Sequence, residues 1–587
     1  MAEIEIGKGR LMTTHPTDEI QNPTTDFRIT REILAYAVIL LGGLAVRLVA
    51  LGRWPLLEGE IGTALAAWRA LQGQGAPVGG YVPALFNAQF VLFALTRAGD
   101  FTVRLLPALV GAGLPLLSCL MRPYLGRRGA LAAASILAFA PTWVYASRTA
   151  DGAIMAAAAG GLLVVSVWRF LTQGHASGLR WGAVALGAGL AMGPTFYTVP
   201  VVAMLYGAML WLWKPDARVR LKGLAAAGGT RRNALLAAST FAALAGGFLL
   251  VPAGMGTAVE SAADWFRGLL PGSDGLPWTY YIATLLTYEF LTVAPALVGA
   301  VVGLRRRDEY DGFFVFWAVL ALLLGSVLGH RHPQWLPVGL LPMVFLAGRG
   351  VEWLWERVGR GADTGEWPAL PVGLVPLGTV YIGLAAYLRS GQTHYLTYCL
   401  MGAGMGIVAW SAYRYWMGRE AGLRVLLGLA LVALLVPTVR ATTALTYETA
   451  RNPRERMVVR PTSMQFADLV DYMSMLSLRA TGKPYAMEIE YEAALDPWMS
   501  WYLRDFDGAR RVQSVGPQPH AVALVTAPRE DGAPSGEYVG RRYRLQESRP
   551  EQSLSLRERL RWFLYRYPAG EERATELWLW VLAEPMG

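Results

Sequence analysis

Long apolar stretches separated by short polar loops repeat along the chain from Ile33 to Arg440. Stretches of roughly 20 residues with few charges are typical of transmembrane helices. The pattern predicts about thirteen of them. They lie near 33–52, 101–121, 129–147, 152–171, 181–197, 198–213, 234–254, 278–303, 312–330, 333–350, 369–388, 394–416 and 421–439. After Arg440 the apolar pattern gives way to a polar tail.

One shorter apolar segment, Val82–Leu95, contains Asn87 and Gln89 and is too short for an ordinary crossing. If it crossed, the basic loop around 122–128 would lie outside the membrane, against the positive-inside rule. We therefore predict that it forms an interfacial or re-entrant helix within the first outer loop, 53–99.

Arginines are concentrated in alternate loops, which predicts the orientation. Arg28 and Arg31 precede the first span, so the amino terminus is expected in the cytoplasm, together with the basic loop 214–232. An odd number of spans then places the tail outside. The sequence thus predicts a multi-pass plasma-membrane protein. Its outer loops would be 53–99, 148–151, 255–277, 331–332 and 389–393.

Three parts follow from this pattern: a disordered cytoplasmic leader (1–30), a transmembrane domain (31–440) and an extracytoplasmic domain (441–587). In the tail, apolar residues recur at helical spacing from Phe466 to Leu476. Strand-like segments occupy 485–491, 521–526 and 577–582. The predicted fold class is a polytopic α-helical membrane protein with a small C-terminal α/β domain.

Two aromatic segments of the tail have further predicted roles. Arg557–Tyr567, rich in arginine and aromatic residues, fits either a membrane-surface helix or an ordinary amphipathic helix packed on the domain. Trp498, Trp501 and Tyr502 are expected to pack against the outer loops and to close the acceptor side of a cavity there.

Composition supports the membrane assignment and narrows the function. The chain is 54% hydrophobic and contains 21 Trp, which is atypical of a soluble enzyme. The net charge of +10 comes largely from short loops beside apolar spans, so we do not predict nucleic-acid binding. Cys119 and Cys399 lie within apolar stretches, and neither a disulfide framework nor a thiolate metal site is expected.

Three polar clusters are predicted to share the outer face. Glu58 and Glu60 follow the first span, and the segment from Tyr145 through Arg148 to Asp151 lies between two later spans. The third is His330-Arg-His-Pro-Gln-Trp335. Ionisable residues at span ends indicate a functional site. Carboxylates can deprotonate an acceptor hydroxyl, while arginine and histidine can bind a phosphate.

The order of these motifs resembles a known family. An acidic motif follows the first span, then come Arg104-Leu-Leu-Pro-Ala-Leu-Val-Gly, Gly126-Arg-Arg-Gly-Ala-Leu-Ala-Ala and Tyr145-Ala-Ser-Arg. This order is similar to that of the integral-membrane glycosyltransferases of the C superfamily (GT-C), which include protein O-mannosyltransferases and the aminoarabinose transferase of lipid A. Pro333-Gln-Trp-Leu and Asp496-Pro-Trp-Met-Ser-Trp are more similar to its flippase-activity-associated branch.

The resemblance implies transfer of a sugar from a polyprenyl-phosphate donor to a protein, glycan or lipid acceptor, by an inverting displacement at the outer face. Glu60 is the expected base, with Glu58 and Asp151 as the other catalytic candidates. The prenyl tail would lie among membrane lipids between spans. The expected substrate-binding residues are Arg47, Arg148, His330, Arg331, His332, Trp335, Tyr145 and Glu289. A divalent cation is left open, and no other cofactor is expected.

Several of these residues also have structural interpretations. Arg47 can snorkel to lipid headgroups, and the two histidines can be a solvated loop pair. Glu289, in the middle of a predicted span, can be a neutral side chain hydrogen-bonded to a neighbouring helix.

Both acidic motifs depart from the family pattern. The family has adjacent Asp and Glu in the first motif, where this chain has Gly59-Glu60, and Ala153 stands where the second motif has an Asp. A non-catalytic scaffold with partners in a membrane complex is therefore the second interpretation. A lipid or solute transporter is the third, since no matching halves are evident in the sequence.

Overall fold

The computed structural model describes residues 30–75, 79–174, 176–247, 251–270, 276–327, 331–359, 369–516, 519, 521–529, 537–548, 556–566 and 573–583. The predicted leader, apart from Thr30, and His330 lie outside the described residues.

Helices dominate the described chain. They are α1 (Arg31–Leu48), α2 (Glu58–Leu71), α3 (Pro83–Leu95), α4 (Asp100–Gly113), α5 (Pro115–Leu120), α6 (Arg122–Leu125), α7 (Arg127–Phe139), α8 (Pro141–Ser147), α9 (Ala153–Gln173), α10 (Ala176–Leu190), α11 (Thr198–Trp213) and α12 (Pro215–Gly228). They continue as α13 (Arg231–Ala245), α14 (Ala253–Gly268), α15 (Tyr280–Tyr288), α16 (Phe290–Arg306), α17 (Glu309–Val327), α18 (Leu336–Leu354), α19 (Ala369–Ser390), α20 (Tyr395–Met417), α21 (Arg419–Thr443), α22 (Met464–Thr481), α23 (Trp498–Tyr502) and α24 (Leu556–Tyr565). Short 3₁₀ turns lie at Pro194–Tyr197, Pro333–Trp335 and Ala493–Leu495.

Eight helical stretches among the described residues are long and apolar enough to cross a membrane, and two bent helix pairs raise this number to ten. The protein is therefore a multi-pass membrane protein, as predicted. Three more predicted spans coincide with the shorter or more charged helices α1, α10 and α13, which have 18, 15 and 15 residues. Each predicted span thus corresponds to a helix or a bent pair. The full number of crossings stays a prediction.

Two of the predicted spans are broken, which hydropathy did not indicate. The pair α7 and α8 bends by 51° before Pro141, and the pair α15 and α16 bends by 105° at Glu289. A proline at the first position of α8 removes a backbone donor, which favours a break there. The segment predicted to be interfacial forms α3, a short apolar helix of 13 residues.

The tail contains a five-stranded sheet of β1 (Ile489–Glu492), β2 (Ala509–Val512), β3 (Ala523–Thr526), β4 (Tyr538–Ser548) and β5 (Arg573–Leu582), in the order β2-β1-β3-β5-β4. β1 pairs in parallel with β2 and β3, whereas β5 pairs antiparallel with β3 and β4. The predicted strands correspond to β1, β3 and β5. β2 and β4 were missed, because adjacent arginines interrupt their apolar pattern.

The tail domain docks on the first outer loop through aromatic side chains. Trp501 Nε1 and the Tyr502 hydroxyl donate to the two carboxylate oxygens of Asp100 at 3.1 and 2.9 Å. Leu56 N donates to the Tyr502 hydroxyl at 2.8 Å. The predicted packing is therefore confirmed for Trp501 and Tyr502, which contact Leu56 in the loop 53–99 and Asp100 just after it; Trp501 is fully buried. That the cluster closes a cavity stays a prediction.

Candidate functional site

Glu60 lies one turn into α2 and is buried, with 1% of its surface exposed. Arg104 of α4 binds it through two parallel hydrogen bonds, Nε to Oε1 at 2.8 Å and Nη2 to Oε2 at 2.6 Å. Arg451, which follows the last span, reaches Oε2 at 3.3 Å. Leu57 N and Ala150 N donate to the same carboxylate at 2.8 and 2.9 Å. We call Glu60, Arg104 and Arg451 the Glu60 cluster.

The Glu60 cluster keeps its carboxylate ionised. Burial opposes ionisation, but the charges of Arg104 and Arg451 and the backbone donor outweigh it and hold the pKa of Glu60 below its usual range. Since five donors already share its two oxygens, Glu60 is poorly placed to accept a further proton. The arrangement is a buried anchor that joins two outer loops and the segment after the last span.

Asp151 lies beside this anchor, because Ala150 donates to Glu60 and Asp151 is the next residue. Its side chain is half-buried, and Oδ1 accepts from Ala153 N at 3.0 Å at the start of α9. Burial, reinforced by the charge of Glu60, raises the pKa of Asp151 to about 7. A partly accessible carboxylate with this pKa is suited to general acid–base chemistry at neutral pH.

Glu58, the third predicted carboxylate, is exposed at the first position of α2. Its Oε2 accepts from Gln546 Nε2 on β4 at 3.1 Å, which links the first outer loop to the tail domain. The structure therefore brings Glu60 and Asp151 together, and leaves Glu58 at the interface with the tail.

Arg47 and Arg148 lie close together but bind helix ends. Arg148 donates to four carbonyl oxygens at the carboxyl end of α1, those of residues 46, 47, 49 and 50, at 2.7–3.1 Å. Arg47 donates to the carbonyls of Leu137 and Ala138 at the end of α7 and to the Ser147 hydroxyl. Positive charge is favourable at these helix ends. Burial lowers the pKa of Arg148 to about 10, which leaves it charged at neutral pH.

Tyr145 completes the polar group around Asp151. It is buried, and among the described residues its hydroxyl has no hydrogen-bond partner. An unsatisfied buried hydroxyl is costly, so a group that donates to it or accepts from it would be stabilised there.

An open apolar cleft lies between α14, α15, α17 and α18. Its aromatic lining consists of Trp265, Tyr281 and Trp335, and most of the remaining wall is aliphatic. Trp265 Nε1 donates at 3.1 Å to Thr198, which also lines the cleft. An open apolar cleft between helices offers contacts that suit an apolar chain such as that of a lipid.

The third predicted cluster lies at this cleft. The Tyr281 hydroxyl donates to the His332 carbonyl at 3.1 Å, and Trp335 lines the wall three residues later. Arg331 donates to the carbonyls of Leu276 and Ser326 at 2.6 and 3.1 Å. Its buried Nε–H has no acceptor among the residues that the structure describes. The third cluster thus lies at the cleft, whereas Glu60 is bound by Arg104 and Arg451.

The cleft and the Asp151 turn are linked through one segment of the chain. Gly152 packs so tightly that an added Cβ would lie 2.9 Å from the Met192 carbonyl oxygen. Gly193 and the 3₁₀ turn Pro194–Tyr197 then lead from Met192 to Thr198 in the cleft wall.

Glu289, predicted to face the pocket, lies at the break between α15 and α16 and is 1% exposed. Oε1 accepts from Thr142 N at 2.9 Å, and Oε2 accepts from the Thr292 hydroxyl at 2.7 Å. The carboxylate thus joins the breaks of the two bent spans and positions α8, which leads to Arg148 and Asp151. This contact supports the structural interpretation of Glu289.

The sequence missed Arg104 and Arg451 as site residues. A lone arginine within an apolar span is a signal for Arg104, because such a charge needs a partner. Arg451 gave no comparable signal, since arginines are common after a span. Among the described residues, no three His, Cys, Asp or Glu side chains form a group suited to a metal ion.

The sequence matches no protein-family model and no curated protein sequence. The structure is similar to that of ArnT from Cupriavidus metallidurans bound to undecaprenyl phosphate, with a TM-score of 0.58 and 15% identity over 94% of this chain and 98% of that one. The apo structure of the same protein gives a TM-score of 0.55 over the same shares. The apo oligosaccharyltransferase of Archaeoglobus fulgidus gives 0.49, with 11% identity over 83% of this chain and 65% of that one. The likeness to ArnT shows the GT-C fold, which confirms the resemblance in fold.

Proposed function

We propose that this chain transfers a sugar from a polyprenyl-phosphate donor to an acceptor hydroxyl, with Asp151 as the general base. The observation that carries the proposal is the half-buried Asp151 carboxylate, whose pKa burial raises to about 7. An apolar cleft between spans, linked to the Asp151 turn through the segment 192–198, supports the proposal. The general kind of reaction is supported by the fold, because the similar ArnT structure holds undecaprenyl phosphate.

In the proposed reaction, Asp151 accepts the proton of the acceptor hydroxyl as that oxygen attacks the anomeric carbon of the sugar. The bond between this carbon and the phosphate oxygen breaks, and polyprenyl phosphate leaves with the electron pair. The configuration inverts at the anomeric carbon. Asp151 replaces Glu60 as the preferred base, because the oxygens of Glu60 are already occupied by five donors.

The isoprenoid chain of the donor would occupy the apolar cleft. Trp265 and Trp335 offer flat apolar contacts, and Arg331 has a buried Nε–H to offer the phosphate at the His332 end. Arg47 and Arg148, which the resemblance suggested for the phosphate, are less suitable because helix carbonyls already take up most of their donors. His330 stays a candidate outside the described residues.

The donor site is tested by filling the cleft. Gly339 lines it, and a Cβ there would lie 3.5 Å from Ala321 across the cleft wall, so Gly339→Leu should reduce undecaprenyl-phosphate binding at least tenfold. Binding is measured by native mass spectrometry of the protein in nanodiscs. Gly404→Leu, on the open surface of α20, is the matched control. Equal binding by both variants would exclude this cleft as the prenyl site.

The base is tested by transfer assays with a panel of synthetic polyprenyl-phosphate sugars as donors. Asp151→Asn should lower transfer by about 10²- to 10⁴-fold, the usual loss of a general base, and leave donor binding within twofold. Glu58→Gln is the control, because this exposed carboxylate contacts Gln546 instead of the anchor. Wild-type transfer by Asp151→Asn would refute its role.

A non-catalytic scaffold is the second candidate. The observation that favours it is the full occupation of Glu60, the carboxylate that best matches the first acidic motif of the family. In that case the wild type would transfer no sugar from any donor of the panel, and the chain would co-purify from membranes in a stable stoichiometric complex.

A further inference from the structure

Helix α24 of the tail domain contacts the end of one span and the break in another. The Arg557 guanidinium lies over the Tyr387 ring, 5.9 Å from its centroid, near the end of α19, and packs against Gly391 in the following turn. Phe563 meets Phe290, the first residue of α16, with 6.3 Å between ring centroids. Because α19 is long and apolar enough to cross a membrane, the contacts of Arg557 at its end place α24 at the membrane boundary.

The opposite end of α24 is fixed as well. Arg566, just after the helix, forms an ion pair with the buried Glu455 at 3.1 Å and lies over the Trp562 ring at 4.3 Å. Trp562 is buried. These contacts give α24 a defined rotation.

The remaining surface combines apolar and basic groups. Leu560 is 37% exposed, and Leu564, one turn further on, is half-buried and shares its helix face. Arg557, one turn before Leu560, is exposed. The helix contains three arginines and one glutamate, a net charge of +2, and the nearby Arg389 at the end of α19 is also exposed. An apolar stripe flanked by arginines is the pattern of helices that lie in the lipid interface.

We propose that α24 lies in the headgroup region of the leaflet on the side of the tail domain and binds the phosphates of anionic phospholipids through Arg557. Leu560 and Leu564 insert below the headgroups, and Arg557 reaches the phosphates above them. The positive charge of the helix makes anionic headgroups the complementary partner. The tail domain is thereby held against the bilayer beside the bent span α15 and α16. This inference does not depend on the proposed transfer reaction.

The position of the helix is measured with a spin label. In a Cys119→Ser, Cys399→Ser background, Leu560→Cys is labelled and the full protein is placed in nanodiscs of phosphatidylglycerol and phosphatidylcholine. We expect the ratio of oxygen to aqueous-nickel accessibility to be several-fold higher at position 560 than at Met475→Cys. Met475 is a 53% exposed residue of α22 in the same domain and serves as the control. Equal ratios at the two positions would refute membrane contact, and protection from both reagents would indicate a protein partner instead.

The headgroup contact is measured by changing the charge. Arg557→Glu should bring the ratio at position 560 toward the control value in phosphatidylglycerol nanodiscs, whereas Arg557→Lys, which keeps the charge, should preserve it. In nanodiscs of phosphatidylcholine alone, the wild-type ratio should already be lower. If neither the Glu substitution nor the removal of anionic lipid changes the ratio, the proposed phosphate contact is wrong. Unchanged elution in size-exclusion chromatography verifies that each variant is folded.

Discussion

At the scale of single residues, two neighbouring carboxylates have opposite properties because of their surroundings. Arg104 and Arg451 keep Glu60 ionised. Asp151 has no arginine bound to it among the described residues, and burial together with the charge of Glu60 raises its pKa. This difference separates an anchor from a group that can exchange protons near neutral pH.

The first prediction concerns the pH dependence of Asp151. Burial raises its pKa to about 7, and only the ionised form can accept a proton. We expect kcat/KM for transfer to rise about tenfold per pH unit below pH 7 and to level off above it, if no other group titrates in this range. Initial rates from pH 5 to 9 measure this profile. Glu58→Gln should leave it unchanged, and a profile that is flat between pH 5 and 7 would contradict Asp151 as base.

The second prediction concerns the stability of the Glu60 cluster. Glu60→Gln leaves two buried arginines without their carboxylate, and breaking a buried ion pair typically costs about 3–5 kcal/mol. We expect a clear drop in the thermal unfolding temperature of the purified protein. Glu58→Gln, at an exposed position, should change it little. Equal unfolding temperatures for the two variants would show that the cluster does not stabilise the fold.

At the scale of elements, the broken spans and helix ends organise the site. Arg47 of α1 binds the carboxyl end of α7, and Arg148, which follows α8, binds the carboxyl end of α1. The two arginines therefore cap α7 and α1. Glu289 adds a contact between the two breaks through Thr142 N. The short segment with Arg148 and Asp151 is thus held by α1 through Arg148, by Glu60 of α2 through Ala150, and by Glu289 through α8.

The third prediction tests the capping role of Arg148. A lysine ammonium cannot reproduce the planar fork that reaches four carbonyls, so Arg148→Lys should lower stability by about 1–3 kcal/mol. Undecaprenyl-phosphate binding should stay within twofold. Thermal unfolding and native mass spectrometry measure the two effects. Arg53→Lys, at an exposed position, is the control. Lost lipid binding with unchanged stability would instead assign Arg148 to the phosphate.

At the scale of the whole molecule, the tail domain contacts the first outer loop along several residues. Trp501 and Tyr502 bind Asp100, Thr462 donates to the Leu56 carbonyl at 2.6 Å, and Arg451 belongs to the Glu60 cluster. Because the loop and the tail are in contact, they must lie on the same side of the membrane.

The fourth prediction extends this contact to absolute sidedness. The arginine pattern predicts that the tail is outside and that the basic helix α12 is inside. In the cysteine-free background, Glu58→Cys and Met475→Cys should react with an impermeant maleimide on intact cells, and Arg220→Cys only after permeabilisation. Labelling of Arg220→Cys in intact cells, with the other two positions protected, would show that the orientation is the reverse of the predicted one.

Much of the architecture was predictable because hydropathy is a local property of the chain. Each predicted span coincides with a helix or bent pair, and the apolar residues from Phe466 to Leu476 form the buried face of α22. Breaks such as that at Glu289 were not predicted, because a bend depends on the neighbouring helix that satisfies the freed backbone groups. The strands β2 and β4 were missed because they lack a regular apolar pattern.

The sequence by itself determined that Glu60 and Asp151 follow apolar spans, and the order of the motifs predicted the fold that contains them both. Only the tertiary structure decided which of them is accessible. The partners of Glu60 are Arg104 and Arg451, which lie 44 and 391 positions away along the chain. No local sequence pattern could therefore predict this pairing. Hydropathy selects segments residue by residue, whereas the ionisation and exposure of a carboxylate are set by the charges and donors that folding brings around it.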